Sequence, residues 1–216
     1  MKTKAIIFDL DGVIVDTAKF HFLAWKTLSD ELGFFFDEKV NERLKGVSRM
    51  RSFEIILEVN GASDKFSPEE KEAFTKKKNE LYISFVKTLK PEDMLPGIRE
   101  FVDRAKESGL KTAVASVSKN APLVLKCLDA EEMFDYVADA AKITKSKPAP
   151  DIFLNCAESL GIAPENCIGI EDSQAGIEAI KAAGMFSIGI NVDVTSVEPD
   201  LHLRSTAELD FDKMVK

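Results

Sequence analysis

A strand-length apolar run, Ala5 to Phe8, stops on Asp9-Leu10-Asp11-Gly12 and resumes as Val13-Ile14-Val15-Asp16-Thr17. A run of that length ended by a turn signal reads as a buried strand delivering its last residues to the carboxyl edge of a sheet, where open α/β folds place their sites. Side chains alternate along a strand, so Asp9 and Asp11 leave on one side. Two carboxylates held that close repel, which calls for a cation, a shared proton or abundant solvent. A divalent ion with oxygen ligands is the natural tenant. The plainer reading is an Asp-Gly turn after a strand. A calcium loop of the EF-hand type starting at Asp9 is excluded, because it wants Gly and Glu where this chain has Ile14 and Phe20.

Further strand-like runs appear at Lys111 to Ala115, Tyr136 to Ala138, Cys167 to Ile170 and Phe186 to Ile190, most of them flanked by helical patterns. That alternation predicts an α/β fold, a Rossmann-like parallel sheet wrapped by helices. Between the first run and the second lie about a hundred residues with helical patterns and no convincing strand, read as an inserted helical cap domain. The expected division is a catalytic core of residues 1–15 and 93–216 and a cap of residues 16–92. Within the insert, Phe20 to Leu32 has helical spacing and stops at Gly33. A second helix starts at Ser67-Pro68-Glu69-Glu70, with Ser67 as cap and Glu70 closing a capping box, and should run to about Thr88. Two linkers, near Asp16 and near Pro91 to Gly97, make a hinge.

Lys plus Arg total 29 against 37 for Asp plus Glu, a formal charge of -8, which argues against a general nucleic-acid binder. An anionic substrate therefore needs a local cluster of cations. Cys127, Cys156 and Cys167 lack metal-ligand spacing and are expected to be reduced, in a cytoplasmic protein. The first apolar run meets Asp9 too soon for a signal peptide, and no stretch is long enough to span a bilayer.

The second strand ends on Ser116, a hydroxyl expected at the same sheet edge as Asp9; a helix cap or turn is its plainer reading. Lys147 follows in Thr144-Lys145-Ser146-Lys147-Pro148, where the proline biases it toward extended backbone. The fourth strand leads into Glu171-Asp172-Ser173 and a helix from about Gln174 through Ala183, stopped by Gly184. Acid pair, hydroxyl, lysine and acid pair, each at or near a strand end of one sheet, resemble the four motifs of the haloacid dehalogenase superfamily in order and context.

That resemblance implies that Asp9 attacks phosphorus to form an aspartyl phosphate and that Asp11 moves the proton of the leaving and entering oxygens. It also implies Mg²⁺ held by Asp9, the Asp11 carbonyl and Asp172, with Glu171 supporting through water. On the same resemblance Ser116 and Lys147 would meet the transferring phosphoryl group. Within the superfamily the resemblance narrows to the β-phosphoglucomutase family, carried by Asp9 to Thr17, His21-Phe22 through Trp25-Lys26, Leu44 to Arg49, Lys76 to Asn79, Ala115 to Asn120, Ser146 to Phe153 and Glu171 to Ile177. It implies interconversion of β-glucose 1-phosphate and glucose 6-phosphate, with glucose 1,6-bisphosphate as activator and intermediate. The distal phosphate falls to Arg49 and to Ser118, Lys119 and Asn120, with Gly46, Val47 and Ser48 around Arg49. His21, four residues before Trp25 on one helix face, is implied in a relay that answers sugar binding, and Lys78 and Asn79 would join it or line the cap side. By residue type alone, Lys78 reads as one of three solvated lysines, Lys76 to Lys78.

Val15, Val117 and the tail from Asn191 depart from that family's pattern. The nearest rival is a sugar-phosphate phosphatase of the same fold. A phosphoacceptor signalling domain gathers similar residues but is near half this length and lacks the helical insert, and a non-enzymatic Mg²⁺-binding scaffold is the bland option. A monomer is expected, acting on a small sugar phosphate without nucleic acid or membrane.

Overall fold

The computed structural model describes residues 2–44 and 48–215, which divide into two compact units. One comprises Met1–Asp16 with Leu89–Lys216, the other Thr17–Thr88. The first is an α/β sandwich around six parallel strands: β1 (Ala5–Phe8), β2 (Lys111–Val114), β3 (Tyr136–Val137), β4 (Cys167–Glu171), β5 (Phe186–Ile190) and β6 (Leu201–Leu203), in the order β3-β2-β1-β4-β5-β6.

Every residue of β1 and β4 is buried, as a parallel strand covered on both faces requires, and this is why their sequences run apolar rather than alternating. The flanking helices carry apolar residues on one stripe. In the helix Ile98–Glu107 the buried residues are Ile98, Phe101, Val102 and Ala105; in Asp151–Leu160 they are Ile152, Phe153, Cys156 and Ala157. Phe153, Cys156 and Cys167 share one core cluster with Ile7, Ala113, Ile177 and Ile180, and the three cysteines are unpaired.

From β1 the chain order runs outward through β2 and β3 on one side and through β4, β5 and β6 on the other. Such a reversal opens a crevice at the carboxyl ends of the central strands. β6 and the short turns after it form the far edge. The three residues of β6 are only partly apolar, with His202 exposed, so the strand has too little pattern to read from sequence.

Among the described residues the second unit holds the helices α1 (Ala18–Leu32), α2 (Glu38–Glu42), α3 (Arg49–Val59) and α4 (Pro68–Val86) and no strand. α4 packs against α1 and α3. Its core gathers Trp25, Leu28, Phe36, Val40, Phe53 and Ile56, and Trp25 stacks on Phe53 with ring centroids 6.2 Å apart. Gly33 ends α1 in the left-handed region, at φ 71°, where its amide satisfies carbonyls of the last turn. Among the described residues, no helix is long and apolar enough to cross a membrane.

At the start of α4 both halves of the capping box form: Glu70 N donates to Ser67 Oγ at 3.2 Å, and Ser67 N donates to Glu70 Oε2 at 2.8 Å. Ser67→Ala should therefore lower stability by about 1 kcal/mol. Ser67→Ala with Glu70→Ala should cost less than the sum of the single changes, read from urea midpoints, because one reciprocal pair is removed twice. Additive losses would show the two bonds acting independently.

Candidate active site

Register brings the site together. Phe8 at the end of β1 pairs with Val114 of β2 and with Ile170 of β4. One residue on, Asp9 N still donates to Ile170 O at 2.9 Å and Ala115 N to Phe8 O at 2.7 Å. Asp9 thus lies level with Ala115 and Glu171, and Ser116 and Asp172 follow one residue beyond. Gly12 turns the chain back with φ 79°, its amide donating to Val15 O at 2.8 Å. A side chain there would also sit 1.9 Å from Asp172 Oδ2, so this turn needs glycine for both its dihedral and its space.

Lys147 enters from the loop after β3, and its peptide bond to Pro148 is cis. Its ammonium hydrogen-bonds Asp9 Oδ1 and donates to Glu171 Oε2 at 2.6 Å, with side-chain exposures of 12% for the lysine, 10% for Asp9 and 1% for Glu171. It also lies 5.3 Å from the centre of the Phe153 ring. Carboxylate oxygens of Asp9, Glu171 and Asp172 fall within 4.8 Å of one another. Burial first, and the neighbouring Glu171 next, push Asp9 well above the ordinary carboxylate range; Lys147 opposes and Asp11 adds to the rise. Asp172 is pushed up to about 7 by burial and by Glu171. Lys147 is held charged, above its ordinary value, because Asp9 and Glu171 outweigh its burial. Crowded oxygen donors that resist ionisation are what a hard divalent cation relieves, so the residues present fit such an ion.

Ser116 is buried, and its Oγ accepts from Ser118 N at 3.1 Å; Ser118 Oγ accepts from Asn120 N at 3.2 Å. These two bonds fold the loop after β2 so that Val117 and Lys119 are exposed. Asp9, Asp11, Ser116, Lys147, Glu171 and Asp172 thus converge on the carboxyl ends of β1, β2 and β4, with Ser118, Lys119 and Asn120 on the adjoining loop.

The helical unit holds the other expected residues. Ser48 caps α3, accepting from Arg51 N at 3.2 Å, and Arg49 follows as an exposed side chain. Gly46 and Val47 lie outside the described residues. Trp25 is 3% exposed and belongs to the core of the unit. Lys78 departs from the plain reading of three solvated lysines: it is 2% exposed, on the same stripe of α4 as Thr75, Tyr82 and Val86. Its Nζ lies 2.7 Å from His21 Nδ1, 5.0 Å from the centre of the Trp25 ring and 5.2 Å from that of Tyr82. Burial, then Lys78 and Arg49, lower His21 to about 3, and burial with Arg49 lowers Lys78 to about 7. A neutral His21 accepts at Nδ1 and carries its proton on Nε2.

Comparisons with known proteins agree with this geometry. The family model of haloacid dehalogenase-like hydrolases matches residues 3–184. The chain belongs to this family. Among its relatives, β-phosphoglucomutase of Bacillus subtilis (strain 168) is 45% identical over 206 residues, covering 95% of this chain and 91% of the relative. A phosphorylated carbohydrates phosphatase of Thermotoga maritima is 31% identical over 184 residues, covering 84% and 82%. The crystal structure of β-phosphoglucomutase from Clostridium difficile superposes with a TM-score of 0.88 at 43% identity, covering 98% of this chain and 95% of that one. The haloacid dehalogenase-like fold is therefore shared along nearly the whole chain. Two further residues meet Glu171 and carry no role by residue pattern: Ser173, whose hydroxyl hydrogen-bonds it, and Gly176 in the first turn of the helix Gln174–Ala182, where an added Cβ would overlap it.

The Lys78 environment generates a pH dependence. Its pKa is about 7 folded against 10.5 unfolded, so between those values the unfolded state binds more protons and stability rises with pH. From pH 7.0 to 8.5 the wild type should gain about 1.5 kcal/mol relative to Lys78→Met. Urea unfolding followed by the fluorescence of Trp25, the single tryptophan, reads this unit directly. A constant difference across that window would mean that Lys78 stays fully charged in the fold.

Proposed function

We propose that this enzyme interconverts β-D-glucose 1-phosphate and D-glucose 6-phosphate through β-glucose 1,6-bisphosphate, with Asp9 carrying the phosphoryl group in transit. The observation that carries the reading is Lys147 bridging Asp9 and Glu171 beside Asp172, in a chain similar over 95% of its length to a β-phosphoglucomutase. In one half-cycle the Asp9 carboxylate attacks phosphorus as the P–O bond to the sugar breaks, and Asp11 gives its proton to the departing oxygen. In reverse, Asp11 takes the proton of the incoming hydroxyl as the Asp9 acyl phosphate is cleaved. Starting from phosphorylated Asp9, glucose 1-phosphate becomes the bisphosphate; transfer of the other phosphoryl group back to Asp9 releases glucose 6-phosphate.

Asp9, the carbonyl of Asp11 and Asp172 would hold Mg²⁺, which when bound supplies charge that keeps Asp9 ionised and neutralises the phosphoryl oxygens. Lys147 adds a second positive charge to the same oxygens, and the Ser116 hydroxyl donates to them once phosphate is present. Both effects act only if water is kept out, since an aspartyl phosphate hydrolyses. A ~100-fold preference for sugar over water corresponds to about 2.7 kcal/mol of barrier difference, within reach of a site that excludes water.

A mutase must also hold the phosphate that is not being transferred. Arg49 is suited to it, with a planar fork of donors, and the charges acting on its neighbours His21 and Lys78 are positive. Ser118, Lys119 and Asn120 would hold the same phosphate from the sheet unit. A sugar-phosphate phosphatase is the second reading, favoured by the phosphatase relative.

Incubation with Mg²⁺, β-glucose 1-phosphate and a trace of the bisphosphate separates the two. Glucose 6-phosphate should form with little inorganic phosphate, and chelation of the metal or Asp9→Asn should abolish it; dominant release of phosphate would make the protein a phosphatase. Arg49→Ala should lower mutase kcat/KM by about 100-fold, the loss of one charge-assisted bidentate contact, while hydrolysis of a small acyl phosphate changes less than threefold. Equal losses in the two reactions would remove Arg49 from the distal phosphate.

A further inference from the structure

The carboxylate of Glu171 has both oxygens engaged inside the protein. Oε2 accepts from Lys147 at 2.6 Å. Oε1 accepts from the backbone of Asp172 and of Ser173, each at 3.2 Å, and from Ser173 Oγ at 2.8 Å. The Ser173 hydroxyl is itself fixed, because it accepts from Gly176 N at 3.2 Å as the cap of the helix Gln174–Ala182. At Gly176 an added Cβ would fall 1.9 Å from Glu171 Cδ, so the first turn of that helix lies directly against the carboxylate.

We infer that Ser173 is a positioning residue for phosphoryl transfer: anchored to the helix, its hydroxyl orients Glu171 so that Oε2 holds Lys147 on Asp9. This deepens the function proposed above and rests on it. Of the three donors to Oε1, the hydroxyl is the one at the shortest distance and the one a side-chain change removes. The two backbone donors belong to the two residues that follow Glu171, whereas the hydroxyl is the donor that is itself tied to the helix turn through Gly176 N. With Glu171 released, the ammonium of Lys147 has Asp9 as its remaining partner and loses the second point that fixes its direction. In this arrangement Glu171 serves the lysine, and Asp9 and Asp172 remain as the carboxylates that can face a metal.

The two jobs of Ser173 need opposite chemistry, which makes them separable. A helix cap needs an acceptor, which Asp supplies as well as Ser does, and Gly costs the cap little. Glu171 needs a donor, which Asp and Gly both lack and Thr retains. The probe is acetyl phosphate with Mg²⁺: Asp9 attacks phosphorus, the P–O bond to the acyl oxygen breaks, acetate leaves, and the labelled protein is counted by mass spectrometry after rapid quench. Ser173→Thr should phosphorylate within about threefold of the wild-type rate. Ser173→Asp and Ser173→Gly should be slower by about tenfold or more, the effect of one hydrogen bond to a charged group. The melting temperature of Ser173→Gly should stay near wild type, and its Mg²⁺ affinity by calorimetry should change less than threefold. Wild-type rates in both Ser173→Asp and Ser173→Gly would reduce Ser173 to a cap and overturn the inference. Recovery of the lost rate at saturating Mg²⁺ would overturn it too, by showing that the hydroxyl serves the metal. Failure of the wild type to label at Asp9 would instead overturn the phosphoryl-transfer reading beneath it.

Discussion

Around Asp9 the protein concentrates negative charge and gives it one ammonium in return. Asp9, Glu171 and Asp172 lie within a few ångströms of each other at the ends of buried strands, and Lys147 is shared between the first two. Such a cluster is unfavourable by itself: burial and mutual repulsion raise Asp9 and Asp172 above the ordinary carboxylate range. It persists because each strand is locked into the sheet by a backbone ladder and by apolar residues on both faces. Stability held in the body of the fold maintains a strained edge, and that edge is where a divalent cation would relieve the repulsion.

The helical unit solves the opposite electrostatic problem. Lys78 and Arg49 act on His21, and Lys78 is buried against the faces of Trp25 and Tyr82 rather than against a carboxylate. Burial first, and Arg49 next, loosen its proton, and the aromatic faces offset that less than a carboxylate would. In a chain whose net charge is -8, this is a place where positive potential is left uncancelled. The sheet edge thus gathers negative charge at the strand ends, and the helical unit gathers positive charge around His21.

Much of the sheet unit was legible because its signals are local. Strand-length apolar runs and Asp-Gly at the first strand end, like the capping box at Ser67 in the helical unit, depend on residues within a few positions, and each leaves a pattern no tertiary contact need supply. β6 was not legible, since an edge strand of three residues is held by its neighbour and not by its own composition. Lys78 was misleading for a related reason. Read as part of Lys76 to Lys78 it is one more surface charge, whereas its helical phase with Thr75, Tyr82 and Val86 puts it on the buried stripe. The phase was present in the sequence; that a lysine would be tolerated there depends on the rings and the histidine that meet it.

What the sequence determined by itself was the class of chemistry: acids, a hydroxyl and a lysine placed after successive strands, a set that parallel pairing must gather at one edge. What the tertiary structure decided was the partnership within that set. Which carboxylate takes Lys147, that Glu171 has both oxygens engaged, and that Gly12 and Gly176 are open only so that Asp172 and Glu171 can fill the space are facts of distance between residues far apart in the chain. Side-chain type states what a group can do, but hydrogen-bond geometry and burial fix which proton or charge it holds, and those arise only when the strands pair.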